Sequence, residues 1–330
     1  MENQITSVKS RLKSKELNCK DKSDPRSAAY IKMLRESNKT LIMHDVNPYA
    51  EVYQFRENLY AIYTDSADGA GAPWMFVVDG PKKAMIIDTG FGIGNIKGLV
   101  DEITGGKKIY AVNTHGHVDH AYGNCQFDAV YCHEYETPIL KAQNKHIWDY
   151  LFDENGKGKW LDFDRNDIQP FKSYEIVGCD DGYIFNLGDG YEVELVWLPG
   201  HTQGHAAYLD KKNRILFAGD GAVSSGTGIA GGKSLSTPRK EFATITAYRN
   251  ALAKIIERIE EIDHIFPAHA ILDVESQILP NILEAANAII TAPENYDYSN
   301  ARTRVDGSVK IELFKHVKGY GPLAYTMDTV

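Results

Sequence analysis

The chain has 330 residues, of which 43% are hydrophobic and 25% charged, a composition typical of a globular protein that can bury a sizeable core. Its formal net charge of −9 argues against nucleic-acid binding as a main activity, because neutralising a phosphate backbone requires clustered Lys and Arg. Residues 1–24 lack the apolar run of a secretory signal, and no stretch approaches the roughly 20 apolar residues of a membrane span, so we expect a cytoplasmic protein without a membrane partner.

The first 48 residues differ in composition from the rest of the chain. They are rich in Lys, Arg, Asp and Ser and predict only a weak helix over 27–35. We interpret residues 1–48 as an N-terminal extension that packs on the surface or on a second subunit, which makes a homodimer a hypothesis. Residues 49–330 then form the main domain. Its first part predicts strands over 52–55, 59–63, 74–78 and 84–87, followed by a helix over 96–103.

A strand predicted over 109–113 leads into the most informative segment of the chain. Residues 114–120 read Thr-His-Gly-His-Val-Asp-His. The candidate metal ligands of this segment are His115, His117, Asp119 and His120. Each of these groups, if buried without a partner, would cost about 1–3 kcal/mol, whereas a pair of metal ions would satisfy all of them together. The segment also follows the carboxyl end of a strand, where open α/β sheets commonly place their sites.

The rest of the chain repeats the alternation of strands and helices. The apolar pattern predicts strands over 129–133, 192–198, 206–209 and 215–218, and helices over 134–144, 242–260 and 275–290. Pro280 is expected to interrupt the last of these helices. Three further candidate ligands lie in this half, namely His201, Asp220 and His269.

The motifs in this order resemble the metallo-β-lactamase superfamily. The matching pieces are Asp88-Thr89-Gly90, the segment Thr114 to His120, Gly200-His201-Thr202, Gly219-Asp220 and Ala268-His269. They extend over residues 84–269, more than half of the chain. The resemblance implies an α/β (α+β) fold, specifically a four-layer αββα sandwich in which two sheets lie face to face with helices outside.

The resemblance also implies how the ligands divide between two metal ions. His115, His117 and His201 would hold the first ion, and Asp119, His120 and His269 the second. Asp220 would bridge them, because a carboxylate can bind one ion with each oxygen. His and Asp donors without Cys suit zinc, and iron or manganese can also use them, so we expect two divalent cations with zinc as the first candidate.

This ligand set predicts a hydrolase. A hydroxide shared by two dications would attack an electrophilic centre, and Asp119 would serve as the catalytic residue that takes up a proton and returns it to the leaving group. His205 lies close to the ligands in sequence, but we assign it a structural role. Thr114 and Thr202 are candidate donors that support the ligands.

Within the superfamily, the sequence favours some branches over others. Asp220 disfavours the zinc β-lactamases, and Val223 stands where quorum-signal lactonases typically have Tyr. Our leading prediction is the hydrolysis of a small ester, lactone or thioester. The alternatives are a phosphodiesterase or nuclease, a sulfatase, and an iron-dependent oxidoreductase on the same scaffold.

Residues 145–174 form an insertion that is unusually rich in Trp, Tyr and Phe. If this insertion covers the metal cleft, its aromatic side chains would favour a small-molecule substrate with an apolar or aromatic part. Trp148 and Trp160 are the predicted substrate-binding residues.

Overall fold

The computed structural model describes residues 11–16, 25–69, 71–230, 238–303 and 309–330. The strands in the first part of the chain are β1 (Lys15–Glu16), β2 (Leu41–Ile42), β3 (Ala50–Arg56), β4 (Leu59–Thr64), β5 (Trp74–Asp79), β6 (Lys83–Ile87), β7 (Lys108–Val112), β8 (Ala129–His133), β9 (Leu161–Asp162) and β10 (Glu175–Cys179). Those in the second part are β11 (Ile184–Gly188), β12 (Tyr191–Trp197), β13 (Ala206–Asp210), β14 (Ile215–Gly219), β15 (Thr227–Gly228), β16 (His264–Pro267), β17 (Val274–Glu275), β18 (Tyr298–Thr303), β19 (Val309–Lys315) and β20 (Leu323–Tyr325). The helices are α1 (Pro25–Ser37), α2 (Ile96–Thr104), α3 (Val118–Ala121), α4 (Thr137–Lys141), α5 (Ile245–Ile256) and α6 (Ile278–Thr291).

Two large mixed sheets organise the molecule. The first has the order β10-β8-β7-β6-β5-β4-β3-β2, antiparallel from β2 to β6 and parallel from β6 to β10. The second has the order β11-β12-β13-β14-β16-β17, with β14 and β16 parallel and the other pairs antiparallel. The strands predicted from apolar runs fall in these two sheets, so the predicted alternation is confirmed.

The sheets pack face to face around the main core. Phe76 of β5 contacts Phe217 of β14 and Phe266 of β16, with ring centroids 5.1 and 5.7 Å apart. Helix α2 covers the outer face of the first sheet, while α5 and α6 cover the outer face of the second. These four layers are the αββα sandwich that the resemblance implied.

Two predicted helices differ from those observed. In place of one helix over 134–144, a short 3₁₀ turn at Glu134–Glu136 precedes α4. Helix α6 begins at Ile278, so Pro280 lies in its first turn and does not interrupt it. A first-turn N–H has no partner within the helix, so proline is tolerated there.

A smaller sheet near the C-terminus was not predicted. It has the order β15-β20-β19-β18 and packs through Leu313 and Tyr325 against the cluster that contains α5 and α6. In β19, Val309 and Ile311 are exposed and alternate with charged residues. Few residues of this sheet face the core. Its strands therefore show only a weak apolar pattern in the sequence.

The predicted N-terminal extension lies partly outside the described residues. In its described part, Ile31 and Leu34 of α1 join the main core, and Arg35 pairs with buried Glu51 at 2.9 Å. The homodimer through residues 1–48 stays a prediction. Among the residues that the structure describes, no helix combines the length and apolar character needed to cross a bilayer.

Candidate metal centre

The seven predicted ligands lie on loops that follow strand ends. The segment 114–120 follows β7, and the short helix α3 turns the chain so that a ligand atom of His120 lies within 4.8 Å of those of both His115 and Asp119. His201 follows β12, Asp220 follows β14 and His269 follows β16. Since β7 belongs to the first sheet and the other three strands to the second, the centre lies where both sheets meet.

Three histidines form the first group. His115 Nε2 lies 2.9 Å and His201 Nε2 3.1 Å from His117 Nδ1. The other ring nitrogen of His201 lies 2.7 Å from the Gly228 carbonyl, so it carries the proton. His115 Nδ1 donates in the same way to Thr114 Oγ1 at 3.1 Å. Lone pairs of these histidines therefore converge, an arrangement that a cation satisfies.

Asp119, His120 and His269 form the second group. His269 Nε2 lies 3.3 Å from His120 Nε2 and 3.2 Å from Asp119 Oδ2. The remaining ring nitrogens are directed away, to Asp88 Oδ2 at 2.9 Å and to the Ala72 carbonyl at 3.0 Å. When both rings are neutral, the atoms that face one another are again acceptors, an arrangement that a positive charge between them would satisfy.

Asp220 lies between the two groups. Its Oδ2 is 3.4 Å from His201 Nε2, and its Oδ1 is 3.4 Å from His269 Nε2 and 3.5 Å from His120 Nε2. Oδ1 is buried and has no hydrogen-bond partner among the described residues. A buried carboxylate oxygen without a donor is costly unless a cation binds it. The residues therefore fit a pair of divalent cations with Asp220 between them.

The pKa shifts of His117 and Asp220 suit cation binding. Burial, followed by the neighbouring His201, lowers the pKa of His117 to about 3, so this ligand is neutral at pH 7. Although burial opposes ionisation, His269, His120 and His201 lower the pKa of Asp220 to about 2. His117 thus offers a lone pair, and Asp220 offers a negative charge.

Comparison with known proteins decides the family. The sequence profile of the metallo-β-lactamase superfamily matches residues 68–269, more than half of the chain. The chain belongs to the metallo-β-lactamase superfamily. The resemblance predicted from the motifs is therefore confirmed.

Two curated relatives of this superfamily member are hydrolases. Acyl-coenzyme A thioesterase MBLAC2 of Homo sapiens is 27% identical over 215 residues, which cover 59% of this chain and 72% of that protein. Hydroxyacylglutathione hydrolase GloC of Haemophilus influenzae is 26% identical over 177 residues, 51% of this chain and 72% of that protein. They bear out the predicted class of enzyme, a hydrolase.

A solved structure supports the fold of the superfamily. The metallo-β-lactamase from Pontibacter korlensis superposes with a TM-score of 0.51 at 19% identity, covering 72% of this chain and 99% of that chain. At this identity the likeness concerns the fold alone, and it agrees with the four layers described above.

Asp88 anchors the ligand loop of this metallo-β-lactamase-fold protein. Its Oδ1 accepts from the Thr114 amide at 2.8 Å, and its Oδ2 accepts from Thr114 Oγ1 at 2.8 Å and from His120 Nδ1 at 2.9 Å. Asp88 has a φ of 62°, a left-handed conformation that Asp and Asn tolerate better than most residues. One carboxylate thus orients the ring of His120 and the start of the loop.

Glu136 is a supporting residue that the sequence analysis missed. Its fully buried carboxylate accepts from the Gly116 amide at 2.8 Å, from Thr202 Oγ1 at 2.5 Å and from the Gly204 amide at 3.0 Å. It therefore ties the loop that carries His115 and His117 to the loop that carries His201. These partners lie 20, 66 and 68 residues away in sequence, so no local sequence pattern indicates that Glu136 connects the two loops.

His205, to which the sequence analysis assigned a structural role, lies beside Asp220. His205 donates from Nδ1 to the Leu198 carbonyl at 2.9 Å and accepts from the Asp220 amide at 3.1 Å, so it holds Asp220 without being a candidate ligand. Gly219 has a φ of +51°, and a Cβ there would lie 2.6 Å from His205 Nε2. The Asp220 loop and His205 therefore require glycine at this position.

The predicted substrate-binding tryptophans lie in one aromatic cluster. Trp148 is only 5% exposed, and its indole N–H donates to the Phe91 carbonyl at 2.8 Å. Trp160 is partly buried and lies 6.4 Å, between ring centroids, from Tyr150. Substrate binding by either tryptophan stays a prediction, and the burial of Trp148 makes it a support of the cluster.

We expect Asp88→Asn to lower metal affinity by about 10–100-fold, because it presents an amide donor to the Nδ1–H of His120 or to the donors of Thr114. The fold should tolerate Asn at this positive φ. Competition with a chromogenic chelator measures the affinity, and thermal unfolding of the metal-free proteins measures stability. Wild-type affinity in the variant would contradict the role of Asp88.

Proposed function

We propose that this protein is a thioesterase that uses two divalent cations, zinc by the chemistry of its ligands, to hydrolyse the thioester of a small thiol carrier. The observation that carries the proposal is the convergence of the seven ligands into two groups with Asp220 between them. The names of both curated relatives describe the release of an acyl group from a thiol, coenzyme A in one case and glutathione in the other.

His115, His117 and His201 would hold one cation and Asp119, His120 and His269 the other, with Asp220 in contact with both. When bound, the cations would supply a water of lowered pKa and would polarise the acyl carbonyl. Asp88 and Glu136 keep the ligand rings in place through the contacts described above. The side chains are therefore already in position when the substrate binds, and they need not reorganise.

Asp119 is suited to handling the proton. Its Oδ2 faces His269 and His120, which leaves the second carboxylate oxygen to accept a proton from the attacking water. A thiolate is a better leaving group than an alkoxide because thiols have a pKa near 8.5. Proton return by Asp119 is therefore less demanding for a thioester than for an oxygen ester.

The proposal is tested by metal analysis of the purified protein beside turnover of matched substrates. We expect about two zinc ions per chain and a higher kcat/KM for an acetyl thioester than for the acetyl ester of the corresponding alcohol, a lactone or an aryl phosphodiester. Faster turnover of the phosphodiester would overturn the thioesterase assignment. Bound iron without hydrolysis of any substrate would overturn both the metal and the reaction.

A further inference from the structure

The loop that begins at Asp220 also contacts His201. We refer to residues 220–230, which contain β15, as the β15 loop. The Gly228 carbonyl of this loop accepts from His201 Nδ1 at 2.7 Å. This hydrogen bond fixes the tautomer and the orientation of the His201 ring, so that the lone pair of Nε2 faces the other candidate ligands.

The β15 loop also contacts the segment that carries His269. Ser224 of the loop is buried, and its Oγ accepts from the Ile271 amide at 3.0 Å. Ile271 follows His269 by two residues. The β15 loop therefore begins with one candidate ligand of the second sheet and contacts the chain at or beside the other two.

The C-terminal sheet in turn holds the β15 loop. Strand β15 pairs in parallel with β20, and the Thr227 amide donates to the Pro322 carbonyl at 2.9 Å. The Tyr320 hydroxyl donates to the Ala222 carbonyl at 3.0 Å. Strands β18 to β20 lie outside residues 68–269, the part of the chain that the superfamily profile matches. These contacts are thus an addition to the matched part of the fold.

Gly321 brings the C-terminal sheet into close contact with the β15 loop. A Cβ at this position would lie 2.4 Å from the Ser224 carbonyl oxygen and 2.7 Å from the Gly226 amide nitrogen. Both are backbone atoms, so the loop would have to move to accommodate a side chain. Gly321 does not have a positive φ, and close contact is therefore the reason that glycine is required there.

We infer that Tyr320, Gly321 and Pro322 are positioning residues that set the affinity of the metal centre by holding the β15 loop. The inference rests on the two-cation site of the function proposed above. The three residues act through His201, whose Nδ1 has its acceptor, the Gly228 carbonyl, on this loop. A displaced acceptor would free the ring to rotate, and loss of such a partner typically weakens metal binding about 10–100-fold.

Two substitutions test the inference at different strengths. Tyr320→Phe removes the hydrogen bond to Ala222 and should weaken metal binding by about fivefold, because Tyr320 acts one contact further from the cation than the partner of a ligand does. Gly321→Ala should weaken it by about 10–100-fold, because it displaces the backbone of the β15 loop. Competition for zinc between the full chain and a chromogenic chelator measures the affinity. Thermal unfolding of the metal-free proteins measures stability.

Tyr325→Phe is the matched control. Tyr325 lies in β20 of the same sheet, and its hydroxyl donates to the Pro293 carbonyl, outside the β15 loop, at 2.7 Å. Each tyrosine variant loses one hydrogen bond to a backbone carbonyl. Because Tyr325 is 1% exposed and Tyr320 only partly buried, the control should lower the melting temperature of the metal-free protein at least as much as Tyr320→Phe. Only Tyr320→Phe should lose zinc affinity.

Equal zinc affinities in wild type and Tyr320→Phe would overturn the inference, and so would equal losses in Tyr320→Phe and Tyr325→Phe. A Gly321→Ala variant that folds and binds zinc as tightly as wild type would also overturn it. If Gly321→Ala does not fold, the two tyrosine variants decide. A wild type that binds zinc but hydrolyses no thioester would overturn the proposed function alone, since the affinities still test the positioning residues. A wild type that binds no divalent cation would overturn both.

Discussion

Asp220→Asn is expected to lower thioester hydrolysis by about a thousandfold or more, equivalent to roughly 4 kcal/mol of transition-state stabilisation. The amide has nearly the shape of the carboxylate, but it lacks the charge and the second anionic oxygen. One of the groups that Asp220 joins would therefore lose a ligand. Metal bound per chain should fall from about two to about one. Elemental analysis after gel filtration and steady-state kinetics measure the two effects.

Asp128→Asn provides the matched control, because the side chain of Asp128 is 92% exposed and pairs only with Lys172 among the described residues. This control should keep its metal and its activity. If Asp220→Asn retains two metal ions and wild-type turnover, Asp220 does not bridge the groups. Loss of activity with full metal content would instead assign Asp220 to the reaction itself.

Glu136→Ala is expected to destabilise the metal-free protein by about 4 kcal/mol and to weaken metal binding by about 10–100-fold. Three buried donors, from Gly116, Thr202 and Gly204, would lose their acceptor, at about 1–3 kcal/mol each. The loops that carry His115, His117 and His201 would also lose their connection. Urea unfolding and chelator competition measure the two quantities separately.

Glu134→Ala is the control for this variant, since Glu134 is exposed and lies in the same 3₁₀ turn. Glu136→Gln should be intermediate, because its amide keeps one acceptor oxygen. An Ala variant as stable as wild type would show that solvent or another group replaces the carboxylate. Equal metal affinity would remove the proposed link between the two loops.

The grouping of the candidate ligands could be predicted from the sequence because most of them lie close together in the chain. Residues 114–120 bring four ligands together within one loop, and that loop follows a clear apolar strand. The fold was also readable, since the strands around Phe76 and Phe217 are buried and strongly apolar. Both signals depend on neighbours in sequence, which is where pattern reasoning is strongest.

The residues that escaped prediction depend on contacts between distant segments. Glu136 looks like an ordinary acid near a helix, and only the folded chain places it between two ligand loops. In the insertion, composition predicted aromatic side chains near the substrate, but it did not separate buried Trp148 from exposed Tyr150. Composition reports which groups are present, whereas burial depends on how the insertion packs.

The division of the ligands between two sheets has a consequence for the order of folding. His115 follows a strand of the first sheet, whereas His201, Asp220 and His269 follow strands of the second, so the ligands cannot meet until both sheets have docked. Metal uptake should therefore follow collapse of the core, unlike the small zinc domains whose folding the metal nucleates. A chain synthesised when metal is scarce would therefore fold as an apoprotein that can still bind metal. The supply of cations would then determine when it becomes active.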